Sequence, residues 1–279
     1  MRKIIAGIIM GIVILAGCKK EEKITDEDAI IEIIKSNPLF KQTVPTGNDS
    51  AYALLKEIIN PLFWGREIKN IPSPKVEIYI LGDSAFVNYT GYDEGILHLW
   101  AWVPDSNKVK YYQKNFSDVS YIKATFKRKG SISDPHRGWE LWSITGIHAL
   151  SKDANPDFKI DSMEVKLANK IIKVKDPLTF QKISEIDTVL KNDEVGIKVY
   201  VNKDVNYPYL HLLGPQDKHF RLPMDKISTG IYEKNIVDSS DVSGYHWIVV
   251  DILGNETLGT SEGIYKSEIW FYLYYKKKF

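Results

Sequence analysis

The chain has 279 residues, 44% hydrophobic and 26% charged, with 37 basic side chains, 36 acidic ones and a single cysteine. Such a composition excludes a disordered chain, which is too poor in apolar residues to order. It also excludes a disulfide-framed domain, which needs an even set of cysteines, and a nucleic-acid binder resting on overall basic charge.

Arg2 and Lys3 give a positive start, Ile4 to Leu15 is apolar and uncharged, and Leu15-Ala16-Gly17 brings small residues up to Cys18. This segment resembles a bacterial lipoprotein signal peptide ending in a lipobox. The resemblance implies cleavage before Cys18 and acylation of its sulfur, leaving residues 18–25 as a short charged tether. A membrane-spanning helix needs about 20 apolar residues, whereas residues 4–17 supply 14 before Lys19-Lys20-Glu21-Glu22-Lys23. An ordinary secretory signal with an incidental cysteine, or an uncleaved anchor, is the alternative. Acylated Cys18 would hold the chain to the periplasmic or extracellular side of the cell envelope. In such lipoproteins an aspartate after the cysteine favours retention in the inner membrane. Lys19 stands there and favours the outer membrane where there is one. Without residues 1–17 the body has 35 basic and 36 acidic residues, so nucleic acid is not an expected partner.

Residues 26–150 read as a first domain. Thr25 suits a helix N-cap, with acidic residues in the first turn. Ala29, Ile30, Ile33 and Ile34 share one helical face, and Asn37-Pro38 ends it. A second helix is expected from Asp49 or Ser50 through Ala53, Leu54, Ile58 and Ile59 to a stop at Asn60-Pro61. Strands follow at 76–80, 85–89, 96–102, 121–127 and 139–144, with turns at 82–83, 91–95, 104–107 and 130–138. Helices first and antiparallel strands after predict an α+β fold, helices on one face of a curved sheet. The helical start, long strands and closing Gly138-Trp139-Glu140-Leu141-Trp142-Ser143-Ile144 resemble the nuclear transport factor 2-like, or cystatin-like cone, family. The resemblance implies a cone enclosing a pocket, used by some members for catalysis and by others for binding. Trp100, Trp102, Tyr112 and Trp142 are the candidate pocket residues. Together with Trp139 they either line a cavity for an apolar or sugar-like ligand or simply fill the core. His98, His136 and His148 have no acid at a coupling distance in sequence, Asp93, Glu94 and Glu140 being the nearest. No catalytic residues, and hence no enzyme, are expected.

Residues 151–157 are polar, carry a proline and read as a linker. Residues 158–279 are almost all strand: 163–167, 171–174, 193–201, 209–213, 245–251 and 268–275. This predicts an all-β sandwich. Gly244 to Asn255, an aromatic strand running into Asp251-Ile252-Leu253-Gly254-Asn255, resembles the penultimate strand and turn of bacterial immunoglobulin-like domains. There Gly254-Asn255 would supply positive φ, and Asp251 would bond backbone amides ahead of it or, as in some such domains, contribute to a calcium site. No dense set of oxygen ligands surrounds it in sequence, so no metal or other cofactor is expected. Gly259-Thr260-Ser261-Glu262-Gly263 matches a nucleophile elbow by spacing alone, because no histidine follows it. Ile269 to Tyr275 is apolar on both strand faces. Either another layer covers it, or Trp270, Tyr272 and Tyr274 form an interface. Lys276-Lys277-Lys278 reads as a solvated end that protects an edge. The functional expectation is a lipid-anchored, non-enzymatic binding or assembly protein with an envelope protein or glycan as partner. Small-ligand binding or catalysis in the cone is the alternative.

Overall fold

A computed structural model describes residues 24–46, 49–50, 59–153, 156–167, 170–213, 219–237 and 241–278. Cys18 and the signal segment lie outside the described residues, as do residues 51–58 of the expected second helix.

Helix α1 (Asp26–Ser36) starts where the sequence places it. Thr25 Oγ1 accepts from the Asp28 amide at 3.1 Å, and the Thr25 amide donates to Asp28 Oδ2 at 2.9 Å. This reciprocal box satisfies donors that the first helical turn leaves open. Asp26 ties the helix to the sheet: its carboxylate accepts from Arg137 Nε at 2.8 Å, Trp139 Nε1 at 3.1 Å and Arg128 at 2.5 Å. The Arg137 bond leads in drawing the Asp26 pKa down to about 2, against partial burial and with help from Trp139 and Arg128.

The strands of the N-terminal half are β1 (Asp49–Ser50), β2 (Asn60–Asn70), β3 (Lys75–Leu81), β4 (Ser84–Val103), β5 (Lys108–Arg128), β6 (Trp139–Thr145) and β7 (Ile147–Ser151). Asn60-Pro61, expected as a helix stop, opens β2. The spine is the β4–β5 hairpin, paired without a break from Ser84↔Lys127 to Val103↔Lys108. Its tight connection uses Asn107 at φ 51°. The expected turn at 91–95 is continuous strand. A Cβ on Gly95 would sit 2.0 Å from the Glu67 carbonyl oxygen, and one on Gly91 would sit 2.6 Å from Ser120 Oγ. These glycines mark close backbone approach inside a curled strand, not chain reversal. β3 pairs with residues 84–90 of β4, and β2 pairs with residues 94–102 along the same edge.

Farther on come β8 (Ile160–Leu167), β9 (Lys170–Val174), β10 (Phe180–Lys182), β11 (Thr188–Leu190), β12 (Glu194–Val201), β13 (Tyr207–Leu213) and β14 (His219–Pro223). They are followed by β15 (Asp225–Ser228), β16 (Ile231–Val237), β17 (Gly244–Leu253), α2 (Asn255–Gly259) and β18 (Ser267–Lys277). One sheet runs β1-β2-β4-β5-β7-β18-β17-β13-β14, with β3 beside β4, β6 between β5 and β10, and β11 beside β18. The second runs β15-β16-β12-β8-β9. All pairings are antiparallel except β11 with β18.

This architecture corrects the expected fold class. The described residues are mostly strand, with α1 and the five-residue α2 as their α-helices, so the N-terminal half is not an α+β cone covered by helices. The large curled sheet continues from β5 through β7 into β18, across residues 151–157. Where helices were expected to cover the concave face, β13, β17 and β18 do so. Tyr207, Tyr209, Trp247, Val249, Phe271 and Leu273 share one buried cluster with Ile30, Trp64, Leu97 and Phe126.

The alternate residues of those same three strands face the second sheet. Leu210, Ile248, Val250, Trp270, Tyr272 and Tyr274 pack with Met163, Val165, Ile197 and Val199. Thus β18 is covered on both sides, which is why its sequence carries no polar face. Removing apolar surface from water contributes about 25 cal/mol per Å², and here both strand faces collect that contribution. Lys276 is also buried and lies between paired strands, so it is not a solvated edge guard.

Candidate functional site

An open cleft of about 650 Å³ separates the outer face of the large sheet from the β9–β11 stretch. Its walls are built by alternation. In β4 the odd positions Ala85 and Val87 enter the core, which turns Phe86 outward at 50% exposure. Thr125 of β5, opposite Phe86, faces the same way. β10 pairs with β6 by Phe180↔Thr145 and Lys182↔Ser143, bringing Phe180, 45% exposed, into the lining of the cleft. Trp142, Lys127, Ile172 and Pro177 complete the apolar and cationic lining.

Lys127 Nζ lies 4.4 Å and Lys129 Nζ 4.9 Å from the centre of the Trp142 ring. The π face attracts both ammonium groups. Lys129 is also paired with Glu140 at 3.0 Å. The acids of the cleft are engaged: Glu185 with Lys182 at 2.7 Å, Asp176 with the Leu178 amide at 2.8 Å, and Asp187 with Lys170 and the Tyr272 hydroxyl at 2.5 and 2.8 Å. Burial, and then the bond to Asp187, push the Tyr272 phenol well above its ordinary value. Gln181 donates to the Leu273 carbonyl at 3.3 Å, while its buried Oε1 has no hydrogen-bond partner among the described residues. The arrangement can stack and hold a partly polar molecule. Each carboxylate of the described lining has a hydrogen-bond or ion-pair partner.

The four pocket residues expected from sequence do not converge. Tyr112 lies opposite Leu99 and packs on the core, whereas Trp100 and Trp102 point to the outer face of the same hairpin. Trp142 alone reaches the cleft, which begins at Phe86, roughly 45 Å along β4 from Trp100 at ~3.3 Å per residue. Trp139 is buried beneath Arg128, 4.8 Å from its ring. Trp270, Tyr272 and Tyr274 lie between the two sheets, where coverage by another layer, not an open interface, accounts for them.

Each of the three histidines considered from sequence meets a carboxylate after all. His98 Nε2 lies 2.9 Å from Glu67 and its Nδ1 2.5 Å from the Tyr111 hydroxyl, on the outer face beside Trp100. Hydrogen bonds from Lys69 first, and then His98, hold Glu67 below the ordinary carboxylate value. His148 lies 3.2 Å from Glu268, and His136 3.4 Å from Glu32. These pairs join residues far apart in sequence, so no spacing rule could have found them.

Asp251 has a different role from the expected turn. It lies in β17 and accepts from Arg66 of β2 at 2.6 and 3.1 Å, both side chains being fully buried. Burial alone would raise its carboxyl, but the Arg66 guanidinium and the His211 ring, 3.2 Å away, together outweigh it and hold the group well below the usual range. Arg66 Nε also donates to the Tyr265 hydroxyl at 2.8 Å. That hydroxyl donates to Asp118, which accepts from Ser267 as well, both at 2.8 Å. Burial pushes Asp118 up to about 6, although Arg66 pulls the other way. Beside this chain, Lys114 Nζ donates to the carbonyls of Glu256, Thr257 and Thr260 at 2.6–3.0 Å. Gly254 takes φ −61° as the N-cap of α2 rather than the positive φ expected of it. No cluster of three or more metal-ligating side chains occurs among the described residues. None of their helices is long and apolar enough to cross a membrane.

Compared with known proteins, the chain matches no protein-family model, no curated protein and no solved structure.

Proposed function

We propose that this chain is a lipid-anchored, non-enzymatic protein of the cell envelope that binds a small ligand in the cleft between its two sheets. One observation carries the reading: a cleft of about 650 Å³ lined by the half-exposed rings of Phe86 and Phe180. Ligand sites are concave, mostly apolar and 300–1,000 Å³ in volume, with a few polar groups to orient what they hold. The engaged acids of the cleft favour holding a molecule over transforming it. The anchor is Cys18, on the lipobox pattern of residues 15–18. Several acyl chains would make that attachment firm, because each buried CH₂ adds ~0.8 kcal/mol and a single chain is marginal.

The test has two arms. Cys18→Ser should move the chain out of the acylated membrane fraction; unchanged acyl labelling would defeat the anchor. The acylated chain, extracted gently from its own envelope, should carry a non-covalent small-molecule mass in native mass spectrometry. Phe86→Ala combined with Phe180→Ala should lose that mass. If the double variant retained it, the cleft would not be the binding site.

A further inference from the structure

The cleft is not electrically even. Of the charged groups on its walls, Lys182 is matched by Glu185, Lys173 lies 3.7 Å from Glu164, Asp187 is taken up by Lys170 and Tyr272, and Asp176 accepts from the Leu178 amide. Lys127 differs. Among the described residues no carboxylate lies within 4 Å of its Nζ, which rests over the Trp142 ring and is otherwise exposed. Lys129, over the same ring, is matched by Glu140 at 3.0 Å. The apolar walls of Phe86, Phe180, Ile172 and Pro177 therefore run up to a cationic end at Lys127.

We infer that the ligand of this cleft is a small amphipathic organic anion, with a flat apolar body against the Phe86 and Phe180 side of the cleft and its carboxylate, sulfonate or phosphate at Lys127. This rests on the cleft being the binding site and adds the class of molecule. Two physical points support it. An ammonium group lacking a counter-charge beside apolar walls gains more from an anion than one in open water, because the walls lower the local dielectric. A neutral ligand would gain only the stacking and apolar terms, which discriminate weakly between molecules of one shape. The volume suits a drug-sized molecule, which favours a soluble anion over a two-chain lipid.

The experiment uses the acylated chain in phosphatidylcholine nanodiscs, with empty nanodiscs as the blank. Two isosteric probes, 2-naphthoate and 2-naphthamide, are titrated by calorimetry. The expected result is one site per chain, with naphthoate at least tenfold tighter than naphthamide. Lys127→Gln should abolish that difference, and Phe86→Ala should weaken both probes. Both positions are exposed, and unchanged melting temperatures would show the fold intact. Equal affinity for the two probes, or a preference that survives Lys127→Gln, would overturn the anion inference. The cleft reading would still stand if both probes depended on Phe86. Failure of both probes to bind would overturn the cleft reading and this inference with it.

Discussion

Two regions of this molecule combine aromatic rings with cationic and carboxylate side chains, and they behave in opposite ways. In the seam where β2 and β5 meet β17 and α2, Arg66, Asp251, Asp118 and Tyr265 are buried and joined by hydrogen bonds, and buried Lys114 is bonded to carbonyls of the α2 region. In the cleft beside β6 and β10, Lys127, Gln181, Phe86 and Phe180 leave bonding capacity or apolar surface unused. A buried charge is tolerated only when paired and bonded, so the seam holds the N-terminal strands to the C-terminal ones. Unused capacity at an open cleft is what a ligand takes up. Residue types alone do not separate structure from function here; the completeness of their partnerships does.

That contrast can be broken by substitution. The largest effect is expected at Arg66→Met, which takes the guanidinium from the buried Asp251 carboxylate, leaves it only His211 at 3.2 Å, and should cost about 3–5 kcal/mol in urea unfolding. Adding Asp251→Leu should recover more than half of that loss; a double variant as weak as the single one would mean the pair is not the linking element. Lys114→Met comes next, leaving three carbonyls of the α2 region without their donor, at a cost of about 2 kcal/mol by the same measurement.

A third expectation concerns pH. Burial raises Asp118 and Asp93 to about 6 from the usual 3.8. A folded state that holds its protons more tightly than the unfolded one is favoured at low pH, so these two groups make stability fall as pH rises from about 4 to about 6. Asp93 accepts from the Val44 amide at 2.8 Å, a bond that an asparagine oxygen can keep. Asp93→Asn should therefore flatten that slope and raise stability at pH 7 by about 1–2 kcal/mol. An unchanged slope in unfolding curves across that window would count against it. The smallest effect on stability is expected in the cleft: Phe180→Ser should stay within about 0.5 kcal/mol of the parent while weakening binding of the naphthalene probe. A large loss of stability there would erase the distinction between the two regions.

How much of this could be read in advance depends on the range of the signal. The Thr25–Asp28 box lies within four residues and was legible, as was the alternation of β12, whose valines and Ile197 point into the core. The β4–β5 spine was only partly legible. Gly91 and Gly95 look like turn residues locally, and only the later-formed approach of Glu67 and Ser120 explains them. The helical covering failed for the same reason, since the strands that fill the concave face arrive more than a hundred residues later. For the cleft, Trp142 was visible as a candidate. Phe86 and Phe180 were not, because no local pattern says that two ordinary strand aromatics end in the lining of one cleft. Asp251 was singled out for a turn, but its partner Arg66 lies 185 residues away.

The central claim, that ligand binding belongs to the cleft and not to the seam, is tested most directly by the tryptophan indole N–H signals in a two-dimensional NMR spectrum. Titrating the acylated chain in nanodiscs with 2-naphthoate should shift the Trp142 signal in a saturable manner. The signals of Trp64 and Trp247, whose rings are buried in the core beside the seam, should stay in place. A saturable shift confined to Trp64 or Trp247, or to Trp100 and Trp102 on the outer face, with Trp142 unmoved, would contradict the account.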